Sequence, residues 1–240
     1  MNPDRVDRSI QTDARAEPEH PDVGAPSGAS GVNAVVEVDH PLVRHKLSYL
    51  RDRRTSTGDF RRLVRELTTL LTYEATKDLP TETVRVETPL EWTEVHRIQG
   101  KKVAVCPVLR AGLGMLDGFL ELVSGARVGF IGLYRNEETL EPVEYYVKLP
   151  SDLGARDAIV LDPMLATGNS CAAAITAVKE AGARSVRLIC LVAAPQGIER
   201  VQRDHPDVTI FTASIDQGLN DRGYIVPGLG DAGDRLYGTK

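Results

Sequence analysis

Apolar runs of strand length alternate with helical stretches along most of the chain, and this alternation restricts the fold more than any other feature of the sequence. The runs span residues 102–109, 126–134, 157–161, 185–194 and 208–214. They lack the polar alternation of a strand with one exposed face, so they indicate strands that are buried on both faces. Strands of this kind, each followed by a helix, predict an α/β fold with a mostly parallel central sheet flanked by helices.

An amphipathic helix precedes the first of these strands. Its apolar residues recur at the i, i+3, i+4, i+7 spacing of one helix face. They are Phe60, Leu63, Val64, Leu67, Leu70 and Leu71, with Ser56, Thr57 and Asp59 as N-cap candidates. Further helices are predicted through Met115, Phe119 and Leu122, over residues 170–182 with Gly182 as the C-terminal stop, and over residues 197–205. The segment 35–43 is predicted to be extended.

Composition separates an N-terminal tail from the rest of the chain. Residues 1–32 are rich in Pro, Gly, Ala, Asp and Glu, so we expect a disordered N-terminal extension. Residues 33–240 are expected to form a single domain. The formal net charge is −5, of which −3 falls in the tail and −2 in the remainder. This remainder lacks the broad basic surface of a general nucleic-acid-binding protein, so no nucleic-acid partner is expected.

The sequence also bears on the cellular compartment. The apolar runs are shorter than the roughly 18–20 residues that span a bilayer, and no apolar core follows the charges at the N-terminus. Neither membrane association nor secretion is therefore predicted. Cys106, Cys171 and Cys190 are widely spaced in apolar contexts. We expect them to be buried free thiols in a reducing compartment, the cytoplasm.

One strand-to-helix turn carries the strongest chemical signal. Asp162 ends a buried strand, and small residues then lead into a helix predicted to begin near Ser170. The N–H groups of residues 166–170 would converge at the helix N-terminus, which favours a phosphate. Gly168 lets the chain approach the anion, and Asn169 tolerates left-handed backbone. A carboxylate beside a phosphate needs sugar hydroxyls or a cation, and a ribose 5-phosphate supplies hydroxyls. An ordinary turn with the carboxylate as a cap is the alternative.

Arg110 stands at the end of another buried strand and is followed by small residues. A planar guanidinium binds phosphate oxygens through two hydrogen bonds, and small neighbours let backbone amides contribute, so this residue is expected to bind a pyrophosphate. The pair Gly112 and Gly114 also suggests a dinucleotide-binding fingerprint. That fingerprint requires a third glycine where this chain has Asp117, so the dinucleotide hypothesis is disfavoured.

Two further segments are candidates for closing a site. The polar segment 135–150 is long for a loop inside a compact domain. As a lid it would bring Arg135 to a pyrophosphate and exclude water from a reactive cationic sugar, whereas the alternative is a solvated surface loop. Residues 213–239 are so rich in Gly and Pro that an irregular flap is expected, with a glycine-rich tail of no role as the alternative.

Four motifs together resemble the uracil phosphoribosyltransferases, a branch of the type I phosphoribosyltransferase family. DPMLATGNS at 162–170 resembles the loop that binds phosphoribosyl pyrophosphate (PRPP), with one acidic residue followed by Pro163 and with Asn169 where that branch commonly has glycine. CPVLRAG at 106–112 resembles the PILRAG motif, and YRNEETLEP at 134–142 resembles the lid segment. GYIVPGLGDAGDRLYGT at 223–239 resembles the uracil signature. The resemblance extends from about residue 35 to the C-terminus.

The resemblance implies a type I phosphoribosyltransferase fold with a C-terminal base-binding flap. It also implies transfer of ribose 5-phosphate from PRPP to uracil, giving UMP and diphosphate in pyrimidine salvage. The implied catalytic residues are Arg110, Arg135 and Asp231. The implied PRPP-binding residues are Arg110, Arg135, Asp162, Pro163, Met164, Leu165, Ala166, Thr167, Gly168, Asn169, Ser170 and Asp231. The implied uracil-binding residues are Tyr224, Ile225, Gly230, Asp231 and Ala232.

The resemblance further implies Mg²⁺ bound mainly through PRPP, because Mg²⁺ takes few protein carboxylates. No cluster of protein metal ligands and no strong general base are predicted, and the five scattered histidines are expected to be structural or solvated. A homodimer or higher homo-oligomer is implied, with GTP as the effector in some bacterial relatives. Two alternatives stay open, namely a phosphoribosyltransferase for another base and a regulator of the same fold that binds RNA and senses pyrimidine nucleotides. The regulator requires a concentrated basic face.

Overall fold

The computed structural model describes residues 34–100, 103–135 and 142–239. The expected N-terminal extension therefore lies outside the described residues. The described strands are β1 (Val35–Glu37), β2 (Thr81–Glu87), β3 (Trp92–Ile98), β4 (Ala104–Leu109), β5 (Arg127–Val128), β6 (Phe130–Arg135), β7 (Pro142–Lys148), β8 (Asp157–Leu161), β9 (Met164–Leu165), β10 (Ser185–Ala193), β11 (Thr209–Ile215), β12 (Gly218–Leu219) and β13 (Ile225–Val226). The described α-helices are α1 (Pro41–Arg51), α2 (Thr57–Ala75), α3 (Leu113–Leu122), α4 (Asn169–Glu180), α5 (Pro195–Asp204) and α6 (Ala232–Tyr237).

Nine of these strands form one central sheet. Its order is β1-β11-β10-β8-β4-β6-β7, with β5 pairing with β4 and β9 pairing with β10. Every pair in this sheet is parallel except β6 with β7. The predicted mostly parallel sheet is therefore confirmed. Two antiparallel hairpins, β2–β3 and β12–β13, lie outside it.

Helices cover both faces of the central sheet. Apolar side chains of α1, α2, α3 and α6 share one buried cluster, while those of α4 and α5 belong to a second cluster. Helix α2 follows the predicted spacing, although Leu70 is only partly buried. Its N-cap is Ser56, whose Oγ accepts a hydrogen bond from the N–H of Asp59 at 3.1 Å. Within the described residues, no helix has both the length and the apolar character needed to cross a bilayer.

Two predictions about local structure are wrong. The segment 35–43 is not extended throughout, because α1 begins at Pro41. Proline suits the first turn of a helix, and Nδ1 of His40 accepts the N–H of Leu42 at 3.1 Å as a cap. The polar segment 135–150 is not a loop over its whole length, because β7 pairs with β6 there. The central part of the predicted lid, residues 136–141, lies outside the described residues.

The hairpin β2–β3 was not predicted from the sequence. Both strands are mostly exposed, and Val84, Val86 and Val95 share one face of the hairpin because Val84 pairs with Val95. Trp92 is also exposed, and the guanidinium of Arg85 lies 5.4 Å from its ring centroid. This hairpin therefore presents apolar side chains that the rest of the described chain covers only in part.

The prediction that the three cysteines are buried free thiols is confirmed. Cys106, Cys171 and Cys190 are all buried and free. Burial raises the pKa of Cys106 and that of Cys190 to about 12, so both thiols stay protonated near neutral pH. They pack as small apolar side chains.

Candidate functional site

Strands β4 and β8 are neighbours in the sheet, and the turns that follow them meet. Pro107 of β4 pairs with Leu161 of β8, so the Arg110 turn and the Asp162 turn leave the sheet at the same edge. Gly112 allows these turns to touch, since a Cβ on it would collide with the carbonyl oxygen of Leu161. The glycine that suggested a dinucleotide fingerprint thus serves close packing between two site turns.

Asp162 follows β8 directly. Its Oδ1 accepts the N–H of Met164 at 3.3 Å, and its Oδ2 lies 3.5 Å from Sγ of Cys171. Burial raises the pKa of Asp162 to about 6, against the opposing effect of these two hydrogen bonds. The carboxyl group is therefore mainly ionised at pH 7, in a position where few protein groups compensate its charge. Sugar hydroxyls or a cation would compensate it.

Free backbone donors lie in the turn that leads into α4. The N–H groups of residues 166–170 donate to no acceptor in the part of the chain that the structure describes. Helix α4 begins at Asn169, so these donors surround the N-terminus of a helix of 12 residues. This arrangement suits an anion such as phosphate.

The left-handed residue of this turn is Gly168, with a φ of 81°, and not Asn169. A Cβ at Gly168 would lie 2.8 Å from the carbonyl oxygen of Gly197, which also requires glycine here. Asn169 is already helical, and its Oδ1 accepts a hydrogen bond from Nη1 of Arg200 on α5 at 2.9 Å. An asparagine is therefore compatible with the turn, because its side chain is bound by α5.

Arg110 and Arg135 stand at the ends of neighbouring strands. Arg110 is exposed. Its backbone carbonyl oxygen accepts a hydrogen bond from the hydroxyl of Tyr237 at 3.0 Å. Burial raises the pKa of that tyrosine, while the positive charge of Arg110 opposes the rise. Arg135 ends β6, and its side chain lies outside the described part of the chain. The lid therefore stays a prediction.

The C-terminal flap has the irregular structure that its composition predicts. It consists of two strands of two residues each, turns, and the six-residue helix α6. Asn220 organises the turn between the strands, since its Oδ1 accepts the N–H groups of Arg222 and Tyr224 at 3.0 Å. Asp231 caps α6 by accepting the N–H of Asp234 at 2.9 Å.

One cavity of about 250 Å³ lies where these segments meet. The Arg110 turn contributes its next residue, Ala111, and the Asp162 turn contributes Asp162, Met164 and Ala166. The flap contributes Gly223, Tyr224, Ile225, Gly230, Asp231, Ala232 and Gly233. All five residues predicted to contact uracil thus line the cavity together with part of the predicted PRPP loop. Segments that are distant in the sequence converge on one small space.

Other members of the predicted PRPP loop lie outside the cavity lining. Pro163 and Leu165 are buried, and their carbonyl oxygens accept hydrogen bonds from the residues at 191, 192 and 194. They join the turn to β10 and its continuation. The remaining members are Thr167, Gly168, Asn169 and Ser170, which form the entry to α4.

Sequence reasoning missed the side chains that support the flap from behind. Asp216 is 7% exposed and forms an ion pair with Arg51, while Arg235 donates to the carbonyl oxygens of Leu50 and Leu229. No local pattern marks them, because each partner lies far away in the sequence.

The carboxylates of the cavity are the groups available to a metal. Within the described residues, no group of three or more His, Cys, Asp or Glu side chains is placed to hold a metal ion. Asp162 and Asp231 both line the cavity. This donor set fits Mg²⁺ that is bound largely through oxygens of a phosphorylated ligand.

Comparison with known proteins gives a consistent result. The family described as "Uracil phosphoribosyltransferase" matches residues 36–239. A uracil phosphoribosyltransferase of Brevibacillus brevis is 58% identical over 209 residues, which cover 87% of this chain and 100% of that protein. The solved structure of the AQ2163 protein from Aquifex aeolicus has a TM-score of 0.82 and 41% identity, and it covers 86% of this chain and 99% of its own.

A more distant solved structure shares the fold. An adenine phosphoribosyl transferase from Trypanosoma brucei, in complex with AMP, pyrophosphate and ribose-5-phosphate, has a TM-score of 0.53 at 13% identity. The match covers 83% of this chain and 89% of that one. At this identity the likeness concerns the fold alone, and it agrees with the type I phosphoribosyltransferase fold that the motifs imply.

Proposed function

The chain belongs to the uracil phosphoribosyltransferase family, and on that basis we propose that it transfers the ribose 5-phosphate of PRPP to N1 of uracil, forming UMP and diphosphate in pyrimidine salvage. One observation carries the proposal. The cavity of about 250 Å³ is lined on one side by the Asp162 turn and on the other by the flap. A sugar phosphate and a base can therefore meet in it.

PRPP is proposed to bind with its 5-phosphate at the entry to α4. The free N–H groups of residues 166–170 support this position, because a phosphate would satisfy several donors at once. Asp162 then faces the ribose hydroxyls. Its raised pKa supports the assignment, because a buried carboxylate with few hydrogen-bond donors around it is stabilised when hydroxyl groups donate to it.

The diphosphate end of PRPP is assigned to Arg110 and Arg135. Arg110 is exposed beside Ala111, which lines the cavity. Displacement at the anomeric carbon has oxocarbenium-like character, so stabilising the departing diphosphate lowers the barrier most. Mg²⁺, bound mainly through PRPP, would add positive charge to the same leaving group. The two arginines orient the diphosphate and stabilise its negative charge.

Uracil is assigned to the flap, where Tyr224, Ile225 and residues 230–232 line the cavity. Uracil offers two carbonyl acceptors and an N3–H donor, all of which backbone groups can satisfy. A base without these groups would leave buried polar atoms unpaired. Asp231 lines the cavity from the flap, and because its Oδ1 caps α6 we assign it a positioning role rather than that of a general base.

The first test is turnover of uracil, cytosine, hypoxanthine and adenine with PRPP, with and without Mg²⁺. We expect that, of the four bases, only uracil is converted to a nucleotide, and that this activity is lost without Mg²⁺. The variant Arg110→Ala should raise the KM for PRPP with the fold intact. Arg203→Ala is the matched control, since its side chain is exposed on α5 and pairs with Asp204. Absence of uracil turnover by the unmodified protein contradicts the proposal.

The RNA-binding alternative gains no support from the family match or from the relatives, whose names are those of the enzyme. A GTP effector is retained as a proposal from the resemblance. Added GTP is expected to raise the rate at low PRPP, and an unchanged rate speaks against it. We also propose a cytoplasmic location, which the three buried free thiols support.

A homo-oligomer is proposed from the β2–β3 hairpin. A two-stranded hairpin alone in water is only marginally stable, and its valine face needs a cover. A second copy of the chain would supply one. Light scattering is expected to show a dimer or larger assembly, and Val84→Glu should shift it towards monomer. Thr83→Glu, on the opposite face of the same strand, is the control. Equal behaviour of both variants rejects this interface.

A further inference from the structure

We propose that side chains behind the flap act as positioning residues for base recognition, by setting the direction of the Gly230 N–H. They are Arg235 and the ion pair of Arg51 with Asp216. This inference rests on the proposed function, in which Gly230 contacts uracil. It adds to that function the device that aims the backbone donor.

The flap is a thin wall between two spaces. On one side lies the cavity assigned to uracil, and on the other lies an open cleft of about 650 Å³. Gly230 and Asp231 line both spaces, whereas Arg51 and Arg235 line the cleft and not the cavity. Interactions in the cleft therefore act on the same backbone segment that lines the cavity on its other side.

The first anchor is built on Asp216. Its carboxylate accepts hydrogen bonds from Arg51 at 2.8 and 2.5 Å and from the N–H of Gly228 at 2.8 Å. Ser214 adds a third donor at 3.0 Å. Although burial raises the pKa of Asp216, these hydrogen bonds outweigh it and leave the pKa below its ordinary value. The carboxylate therefore stays charged and bonded near neutral pH.

The same anchor fixes both backbone groups of Gly228. Its N–H donates to Asp216, and its carbonyl oxygen accepts a hydrogen bond from Nη1 of Arg51 at 2.9 Å. Asp216 is itself tied to the central sheet, because its N–H donates to the carbonyl of Ala193 at 2.8 Å. The flap is thus connected to the sheet two residues before Gly230.

The second anchor is Arg235. Its Nη1 donates to the carbonyl oxygens of Leu229 at 3.0 Å and Leu50 at 2.7 Å, and its Nη2 donates to that of Asp52 at 2.7 Å. The guanidinium lies 4.2 Å from the ring centroid of Phe60. A planar fork held at several points has little freedom to turn. The carbonyl of Leu229 is therefore fixed towards the C-terminal end of α1.

This fixed carbonyl determines where the next donor points. The peptide bond between Leu229 and Gly230 is trans, so the N–H of Gly230 points opposite to the carbonyl that Arg235 binds. That N–H donates to no acceptor among the described residues. A Cβ on Gly230 would meet no atom within 4 Å, so the residue borders open space. A free donor directed away from Arg235 suits a carbonyl oxygen of the base.

The test compares Arg235→Met with the unmodified enzyme. The KM for uracil should rise roughly tenfold, the factor expected when one hydrogen bond is misaligned, while the KM for PRPP changes less than about twofold. Discrimination between uracil and its 2-thio and 4-thio analogues should also fall, because sulfur is a weaker acceptor than the oxygen that this N–H selects. A purely structural role would lower the melting temperature without changing this discrimination.

Further variants keep the test decisive. Arg235→Lys retains a charged donor for Leu229 and should recover part of the uracil affinity. Arg51→Gln frees the carbonyl of Gly228 and should raise the KM for uracil by roughly threefold, which provides a second test if Arg235→Met does not fold. Arg203→Met, on the surface of α5, is the matched control.

The outcomes separate this inference from the proposed function. An unmodified enzyme that ignores uracil refutes the proposed function. An enzyme that uses uracil, and whose folded variants keep both its uracil KM and its preference over the thio analogues, overturns the positioning role. A selective rise in the uracil KM together with weaker discrimination supports it.

Discussion

Replacing Asp162 with asparagine is expected to stabilise the unliganded protein at pH 8 while it impairs the use of PRPP. Burial raises the pKa of this carboxyl from 3.8 to about 6. Each pKa unit corresponds to about 1.4 kcal/mol, so keeping the group ionised in the fold costs about 3 kcal/mol at high pH. The neutral amide avoids this cost. It loses the interaction with Cys171, at about 1 kcal/mol, which leaves a net gain of about 2 kcal/mol.

The sign of the pH dependence follows from the raised pKa. Below pH 3.8 the carboxyl is neutral in the folded and the unfolded chain, so the cost is absent. It develops as the pH rises and is complete above the folded-state pKa of about 6. The advantage of Asp162→Asn should therefore be small near pH 4 and full at pH 8. For a domain of this size, about 2 kcal/mol raises the melting temperature by about 4–8 °C.

The assay is thermal unfolding of both proteins between pH 4 and 8 without ligands. Asp157→Asn is the matched control at the other end of the same strand. A hydrogen bond from Arg184 lowers the pKa of Asp157, so its stabilising contribution is present at pH 8 and is lost as the pH falls through the folded pKa. This control should lose stability at pH 8. If Asp162→Asn also loses stability there, or if its gain does not vary with pH, the account of the buried carboxylate is refuted.

Three further outcomes are expected. As Asp162 protonates below pH 6, the KM for PRPP at saturating uracil should rise by up to roughly tenfold per pH unit, and a flat profile down to pH 5 contradicts the role of its charge. Asn169→Gly and Arg200→Ala should each raise that KM about two- to fivefold. Because both remove the same hydrogen bond, the double variant should show no larger effect than either single variant. Gly112→Ala should lower the free energy of unfolding by about 1–3 kcal/mol in urea titrations because its Cβ meets Leu161, and unchanged stability contradicts that contact.

Local patterns predicted several structural elements correctly. The strand 157–161 has the bounds that its apolar run predicted, and Ser56 caps α2 as its type and position indicated. Gly182 has a φ of 89° just after α4, as a C-terminal stop requires. Such signals depend on the residue and its near neighbours, and no distant contact overrides them here.

Predictions were weaker where contacts between residues distant in the sequence determine the local structure. The hairpin β2–β3 has no clear signal in the sequence, because its partly buried valines are few and its other positions are exposed. The polar stretch 135–150, whose composition favours a loop, contains β7, which exists because β6 lies beside it and pairs with it. The left-handed residue of the turn before α4 is Gly168, since the crowding that requires glycine there comes from Gly197 on another element.

The sequence by itself determined the α/β class, the turn between β8 and α4 and the glycine-rich flap, because apolar periodicity, caps and backbone freedom are local properties. Only the tertiary structure decided how the flap is aimed. Arg51 and Asp216 are 165 positions apart, and Arg235 and Leu50 are 185 apart. Many arginines and aspartates in the chain could have paired, and no periodicity distinguishes among them. Which ones meet depends on the packing of α1 and α6 against α2.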